Sequence, residues 1–194
     1  MNINEACFQH PQLETPRLLM RKVTFKDLED MHAYTSSQEV TKYVPFPTHK
    51  TLEDTRKFID FILEQYQINK KLLWGIQLRE TQKFIGTIEF VSFEPTHNKA
   101  EIAYILSDDY WGNGIMSEAA DEVIKFGFQT LNLTRIQART FKENIGSQKV
   151  LEKVGMTFEG TLRKSMFLKG KYQDINIFSI LKGEYTSQIN NPRT

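Results

Sequence analysis

A single cysteine, Cys7, stands in 194 residues. No internal disulfide can form, which suits a reducing compartment. Cys7 lies in what reads as an irregular N-terminal stretch, with no helix start or basic cluster beside it, so it is a poor candidate nucleophile. Neither sign of charge is in excess: 25 Lys and Arg face 24 Asp and Glu, for a formal net charge of +1. The footprint of a nucleic-acid binder is therefore missing. No apolar run reaches about 18 residues, so no membrane span is expected. Met1–Ala6 lacks the basic and apolar regions of a secretory signal, and a cytoplasmic location is the expectation. There is no internal repeat and no low-complexity stretch. No set of His, Cys, Asp or Glu has metal-ligand spacing, so no metal cofactor is expected.

What remains is an ordinary globular composition, 40% hydrophobic and 25% charged. Its length suits one domain, residues 1–194, with a core at about 15–182 and tails at 1–12 and 184–194. Leu72–Arg79 and Phe84–Val91 alternate like the two strands of a hairpin, joined by the polar turn Glu80–Lys83. Thr24 with Asp27, and Thr51 with Asp54, have capping-box spacing and open helical patterns. His32 continues the first of these rows and reads as a helix histidine. Between the two helices, Val44-Pro-Phe-Pro47 must be extended or turned. Hairpin strands followed by strand–helix units predict a mixed sheet covered by helices.

The stretch around which the chain is organised runs from Lys99 to Ala120. Ile102–Leu106 is strand-like, Ser107–Asp109 breaks the strand, and Gly112 and Gly114 follow. From Ile115 the period changes to that of an amphipathic helix. The first N–H groups of a helix have no partner within it and suit an anion such as a phosphate. Glycine at such a turn lets a ligand approach the backbone. From the two glycines alone, a pyrophosphate cradle and an ordinary tight turn are both open. A Gly-x-Gly-x-x-Gly dinucleotide turn is disfavoured. Ser117 stands at the third glycine, and the turn comes after several strands rather than after the first.

Trp111-Gly-Asn-Gly-Ile-Met-Ser-Glu-Ala119 resembles the acetyl-CoA-binding motif of the GNAT N-acetyltransferase superfamily. It is closest to the form written Trp-Gly-x-Gly-x-x-Thr/Ser-Glu-Ala in the ribosomal-protein-alanine N-acetyltransferase-like branch. Met116 departs from the small residue of the superfamily pattern. Thr15-Pro-Arg-Leu-Leu-Met-Arg21 resembles the opening of the same branch. Asn144-Ile-Gly-Ser147, followed by Val150-Leu-Glu-Lys-Val-Gly155 and Glu159-Gly160, resembles its second signature. Asn144 also reads as an N-cap, and Gly155 as a C-terminal stop. Two motifs in the right order make the resemblance specific from Thr15 to Leu181.

The resemblance implies an α/β fold with a mixed, mostly antiparallel sheet of six to seven strands and about four flanking helices. It also implies a V-shaped splay between the two central parallel strands, at 100–107 and 135–141. The implied activity is acetyl-CoA-dependent N-acetylation of a primary amine (a protein N-terminus, small amine or amino sugar) by direct attack in a ternary complex. A strand amide near Leu106 would bond the acetyl oxygen. Amides of Trp111, Gly112, Asn113, Gly114, Ile115, Met116 and Ser117 would hold the pyrophosphate, with Asn144 and Ser147 beside the pantetheine and sulfur. Tyr43, Val44, Phe46 and Tyr104 would face the acceptor.

Two catalytic positions of the superfamily are altered here. The usual Tyr acid falls on Leu151, which leaves Ser147 as the group beside the thiolate. A branch glutamate falls on Met166, which leaves Glu101 as the candidate base, acting through a water. Asp174 matches a branch aspartate and also suits a structural hydrogen bond. An α-amine of pKa about 8 is neutral in roughly a tenth of molecules at pH 7, and a lysine of about 10.4 in fewer than about a thousandth. Weak acid–base equipment therefore favours an easily deprotonated amine. The rival reading is a non-catalytic acetyl-CoA-binding protein with a degenerate site. No nucleic-acid or membrane partner is expected, and either a monomer or a homodimer is compatible.

Overall fold

Two hydrophobic periods build two layers of helix around one sheet. The structure, a computed structural model, describes residues 1–68 and 71–190. Its strands are β1 (Leu13–Glu14), β2 (Leu18–Arg21), β3 (Leu72–Leu78), β4 (Phe84–Glu94), β5 (Lys99–Leu106), β6 (Arg135–Phe141), β7 (Thr157–Leu168) and β8 (Lys171–Leu181). Its helices are α1 (Ile3–Gln9), α2 (Leu28–Thr35), α3 (Gln38–Thr41), α4 (Leu52–Gln67), α5 (Ile115–Gln129), α6 (Ile145–Lys153) and α7 (Lys182–Asn190). The eight strands form one sheet in the order β1-β2-β3-β4-β5-β6-β8-β7. Every pairing is antiparallel except that of β5 with β6.

The expected mixed sheet is present, with eight strands instead of six to seven. Among the described residues there are seven helices instead of about four. The additions are largely at the chain ends. Residues 1–12 are not a loose tail. α1 starts in a complete capping box between Asn2 and Glu5. Ala6 and Cys7 are buried in the main core. The His10 imidazole Nε2 meets the Leu73 carbonyl at 2.7 Å, and the Trp74 indole N–H donates to the Pro11 carbonyl at 2.7 Å. Cys7 therefore sits on a helix rather than in irregular chain, and burial pushes its thiol pKa up. At the other end, Tyr185 of α7 packs on Phe128 with ring centres 5.3 Å apart. Residues 191–194 lie outside the described residues.

Alternation along β5 divides its side chains between the two faces. Ala100, Ile102 and Leu106 join the core formed with α1, α5 and α6. Ile105 packs against the second core, built on α2 and α4 around Met31, Ile59 and Ile62. Each side chain of this size, fully buried, contributes about 1.5–3 kcal/mol.

The feature that positions the site is where β5 and β6 stop pairing. Their register runs from Lys99–Arg135 to Ile102–Ala138 and ends there. β5 nevertheless stays paired with β4 as far as Leu106, and β6 with β8 as far as Phe141. Each strand keeps its outer neighbour while leaving its inner one, which opens the V expected from the resemblance. Backbone groups of Ala103–Leu106 on that side have no ladder partner on β6 and face the gap.

Candidate active site

The cleft that enters this gap has a volume of about 710 Å³. One end is the turn between β5 and α5. After Leu106 the chain pins itself down: the Ser107 N–H donates to the Ile85 carbonyl at 2.8 Å, and a short 3₁₀ turn covers Asp108–Tyr110. The Trp111 N–H donates to the Asp108 carbonyl at 3.1 Å, and its indole N–H reaches back to the Leu106 carbonyl at 2.9 Å. Trp111 is thus a strut for the turn, and its amide is removed from the expected set of anion donors. Gly112 and Gly114 follow with φ of +78° and +71°, in the left-handed region where L side chains are strained.

The first rung of α5 is the Glu118 N–H to the Gly114 carbonyl, at 3.0 Å. The amides of Ile115, Met116 and Ser117 therefore precede the helical ladder. Their side chains are buried beneath the turn, yet all three residues line the cleft with Gly112 and Gly114. Three amide donors thus sit at the positive end of a 15-residue helix. Asn113 does not line the cleft. Its side-chain amide turns to the Trp111 carbonyl at 3.3 Å, and its own carbonyl accepts from Arg17 Nη1 at 3.0 Å.

The turn is locked by a part of the chain distant in sequence. Glu118, on the first turn of α5, accepts from the Thr15 hydroxyl at 2.5 Å, from the Arg17 N–H at 3.1 Å and from Arg17 Nε at 2.6 Å. Burial alone would raise the Glu118 carboxyl pKa, but these bonds outweigh it and hold the carboxyl below its ordinary range. The Thr-Pro-Arg opening and the Ser-Glu-Ala motif are thus two halves of one clamp. Cations lie close to the turn. A Cβ placed on Gly114 would lie 3.5 Å from Lys153 Nζ and 3.8 Å from Arg17 Nη2, and Lys149 also lines the cleft. The sequence reading singled out neither Lys149 nor Lys153. Their spacing of four on α6, which puts both on one face, is the signal that could have found them.

In the gap itself stand Asn144, Ser147 and Tyr104. Asn144 caps α6 as expected, its Oδ1 accepting from the Ser147 N–H at 3.1 Å. Tyr104 comes from β5 on the face of the α5–α6 core, so it sits beside Ser147 and not on the opposite face with Ile105. Its hydroxyl lies 3.0 Å from Ser147 Oγ, and burial pushes the phenol pKa well above its usual value. Leu151, where a Tyr acid was sought, is wholly buried in the main core and cannot serve the cleft.

Beyond the gap, the lining continues through Glu39, Val40, Lys42, Tyr43, Val44 and Glu143. Tyr43 stacks on Phe141 at 5.5 Å, and its hydroxyl donates to the Glu143 carbonyl at 3.3 Å. Tyr43 and Val44 therefore line this end of the cleft. Phe46 does not. It is half-buried and packs instead with its ring centre 4.9 Å from that of Phe58 and 5.4 Å from that of His49.

Glu101 is likewise outside the lining. Glu101 is 6% exposed, and its carboxylate is held by Arg139 Nε at 2.7 Å and Gln137 Nε2 at 3.1 Å. These partners come from β6, next to the last paired residues before the strands separate. Glu101 is therefore a brace at the crotch of the V, and both its oxygens are engaged by donors. Asp174 accepts from the Lys164 N–H at 2.9 Å across the irregular part of the β7–β8 pair, in line with the structural reading.

A strand end, a glycine turn and a helix start facing a splayed strand pair form one cleft. The family model described as "Acetyltransferase (GNAT) domain" matches residues 17–157, and the chain belongs to that family. It is 38% identical to the uncharacterized N-acetyltransferase YoaA of Bacillus subtilis over 172 residues, covering 89% of this chain and 97% of that protein. It is 31% identical over 129 residues to the ribosomal-protein-serine acetyltransferase of Escherichia coli, covering 66% of this chain and 70% of the relative. A crystal structure of a GNAT-family acetyltransferase from Bacillus anthracis superposes with a TM-score of 0.80 at 34% identity, over 89% of this chain and 99% of the other.

Proposed function

We propose that the protein transfers the acetyl group of acetyl-CoA to a primary amine, by direct attack while both substrates occupy the cleft. The observation that carries this reading is the continuity of one cleft. It runs from the turn at Gly112, Gly114 and Ile115–Ser117, past the end of β5 and the start of α6, to the wall at Tyr43 and Val44.

The chemistry needs a carbonyl held and polarised, an amine placed against it and a thiolate allowed to leave. Amides of Gly112 and Ile115–Ser117, with Lys153 and Arg17 beside them, fit a pyrophosphate. Asn144 and Ser147 would flank the pantetheine and sulfur, and the unladdered edge of β5 near Leu106 would meet the acetyl oxygen. Attack by the amine nitrogen forms the C–N bond and the C–S bond breaks, with the electron pair leaving on sulfur. The nitrogen then gives its extra proton to water.

With Glu101 committed to Arg139 and Gln137, the amine would arrive already neutral. The acceptor class is therefore an amine of modest pKa: a protein N-terminus, a small amine or an amino sugar. We place the reaction in the cytoplasm, with no metal ion required.

Thiol release from acetyl-CoA, measured against an N-terminal peptide, a lysine peptide, an amino sugar and spermidine, tests this. Faster turnover of the low-pKa amines, rising with pH toward about 8, is the expected result. A strong lysine preference would overturn the acceptor class. Binding of coenzyme A with no turnover of any amine would instead select the non-catalytic reading.

A further inference from the structure

Tyr104 and Ser147 form a hydroxyl pair, and the Tyr104 phenol has no part in the reaction drawn above. The phenol oxygen lies 3.0 Å from Ser147 Oγ and 3.2 Å from the Ser147 carbonyl oxygen. Both residues line the cleft. Ser147 is the third residue of α6, and its own N–H is fixed by the Asn144 cap at 3.1 Å. A negative charge forming there would meet the positive end of that helix.

Two hydroxyl protons can be arranged in two ways. If the phenol donates to the Ser147 carbonyl, the Ser147 O–H is free to donate to the phenol and is then used up. If the phenol donates to Oγ, the Ser147 proton is released to point into the cleft. Both arrangements fit the two distances, and charge developing in the cleft would favour the second.

We propose that Tyr104 is a positioning residue for the leaving group: it donates to Ser147 Oγ and so turns the Ser147 O–H toward the departing thiolate. This rests on the acetyl-CoA reading above. As the C–S bond breaks, the electron pair stays on sulfur and is held by the Ser147 hydrogen bond, itself strengthened by the one from Tyr104. Neither hydroxyl gives up its proton. Burial raises the phenol pKa above that of a free phenol, far above the roughly 8.5 of a thiol, so the phenol stays neutral and donating throughout. Solvent protonates the thiolate after it leaves. The assignment also explains how the chain manages with Leu151 in the core: the hydroxyl facing the thiolate is Ser147 of α6, backed by a phenol from β5.

Tyr104→Phe removes one oxygen and keeps the ring. The readout is the thiol pKa of coenzyme A bound to the full chain, followed by thiolate ultraviolet absorbance, together with steady-state rates. In the wild type the bound thiol should titrate below the free value of about 8.5. Tyr104→Phe should shift it back up by about one unit and lower kcat about tenfold, with KM for acetyl-CoA changed less than about twofold. Ser147→Ala should give the same shift, and the double variant no further loss, because the two groups act as one. An unchanged bound-thiol pKa in both single variants would overturn the proposal, even if kcat fell. Should coenzyme A fail to bind the wild type, the acetyl-CoA reading falls first and this one with it. The two failures are therefore distinguishable.

Discussion

The two ends of the cleft are built by different means. At the proposed cofactor end the groups that would face the ligand are backbone amides, and side chains serve to hold the backbone: Glu118 ties Thr15 and Arg17 to the glycine turn through bonds of 2.5 to 3.1 Å. At the proposed acceptor end the groups that would face the amine are side chains on a proline-containing loop, held by aromatic contacts at 4.9 to 5.5 Å. Backbone donors in a clamped turn suit a ligand part that never varies. Side chains on a loop can be exchanged without rebuilding the sheet, and they are where one amine would be chosen over another.

Breaking the cofactor end should have the largest effect. Gly114 has φ of +71°, and a β-branched residue there is strained by about 1–2 kcal/mol. Gly114→Val should therefore tilt the amides of Ile115–Ser117 and weaken coenzyme A binding at least about tenfold by calorimetry. KM for the amine should change little. A variant that binds normally would remove the cradle from the account.

The crotch of the V comes next. Arg139→Met would leave the Glu101 carboxylate buried with only Gln137, at a cost of about 2–3 kcal/mol in urea unfolding. Glu101→Gln should cost about 1 kcal/mol or less, because the Arg139 side chain is 48% exposed and can rehydrate. The same Glu101→Gln variant should keep kcat within about twofold. A fall of about a hundredfold or more would restore Glu101 as the base.

Phe46→Ala sharpens the comparison from the other side. Removing its ring from Phe58 and His49 should cost about 1–2 kcal/mol and raise the amine KM severalfold. Coenzyme A affinity should not move. If it falls in parallel, the two ends are coupled through the sheet and the contrast is lost.

The smallest effect is a matter of pH. The Glu118 carboxyl is depressed in the folded state, so its contribution to stability is present above the ordinary carboxyl pKa, about 4.5, and is lost as pH falls through the lowered folded value. The stability gap between wild type and Glu118→Gln should be full at pH 7 and should shrink at pH 3.5 in urea unfolding. A gap independent of pH would mean that the carboxylate charge does not hold the clamp.

The same contrast governs what was legible in the sequence. Glycine at positive φ, asparagine at a cap and threonine–aspartate pairs are demanded by the backbone itself, so Gly112, Gly114, Asn144, Thr24 and Thr51 could be placed from their letters. β5 and α5 followed from a change of period. The rest depends on which strand lies beside which. Alternation puts Glu101 on the face opposite Tyr104, but nothing in the letters says that Gln137 and Arg139 of β6 cover it. Tyr104 was named for the acceptor, because only three-dimensional pairing brings its hydroxyl to Ser147. Phe46 was named for the wall, because a loop's letters do not show which ring turns under it. α1 was read as a tail because seven residues carry too weak a periodic signal, although Asn2 and Glu5 already spelled its cap.

The most direct measurement follows backbone amide resonances as coenzyme A, and separately inorganic pyrophosphate, is added to the ¹⁵N-labelled protein. Both ligands should shift Gly112, Ile115, Met116 and Ser117, and leave the amide of Trp111, bonded to Asp108, nearly in place. Saturable binding of coenzyme A that leaves those four amides unmoved would contradict the account.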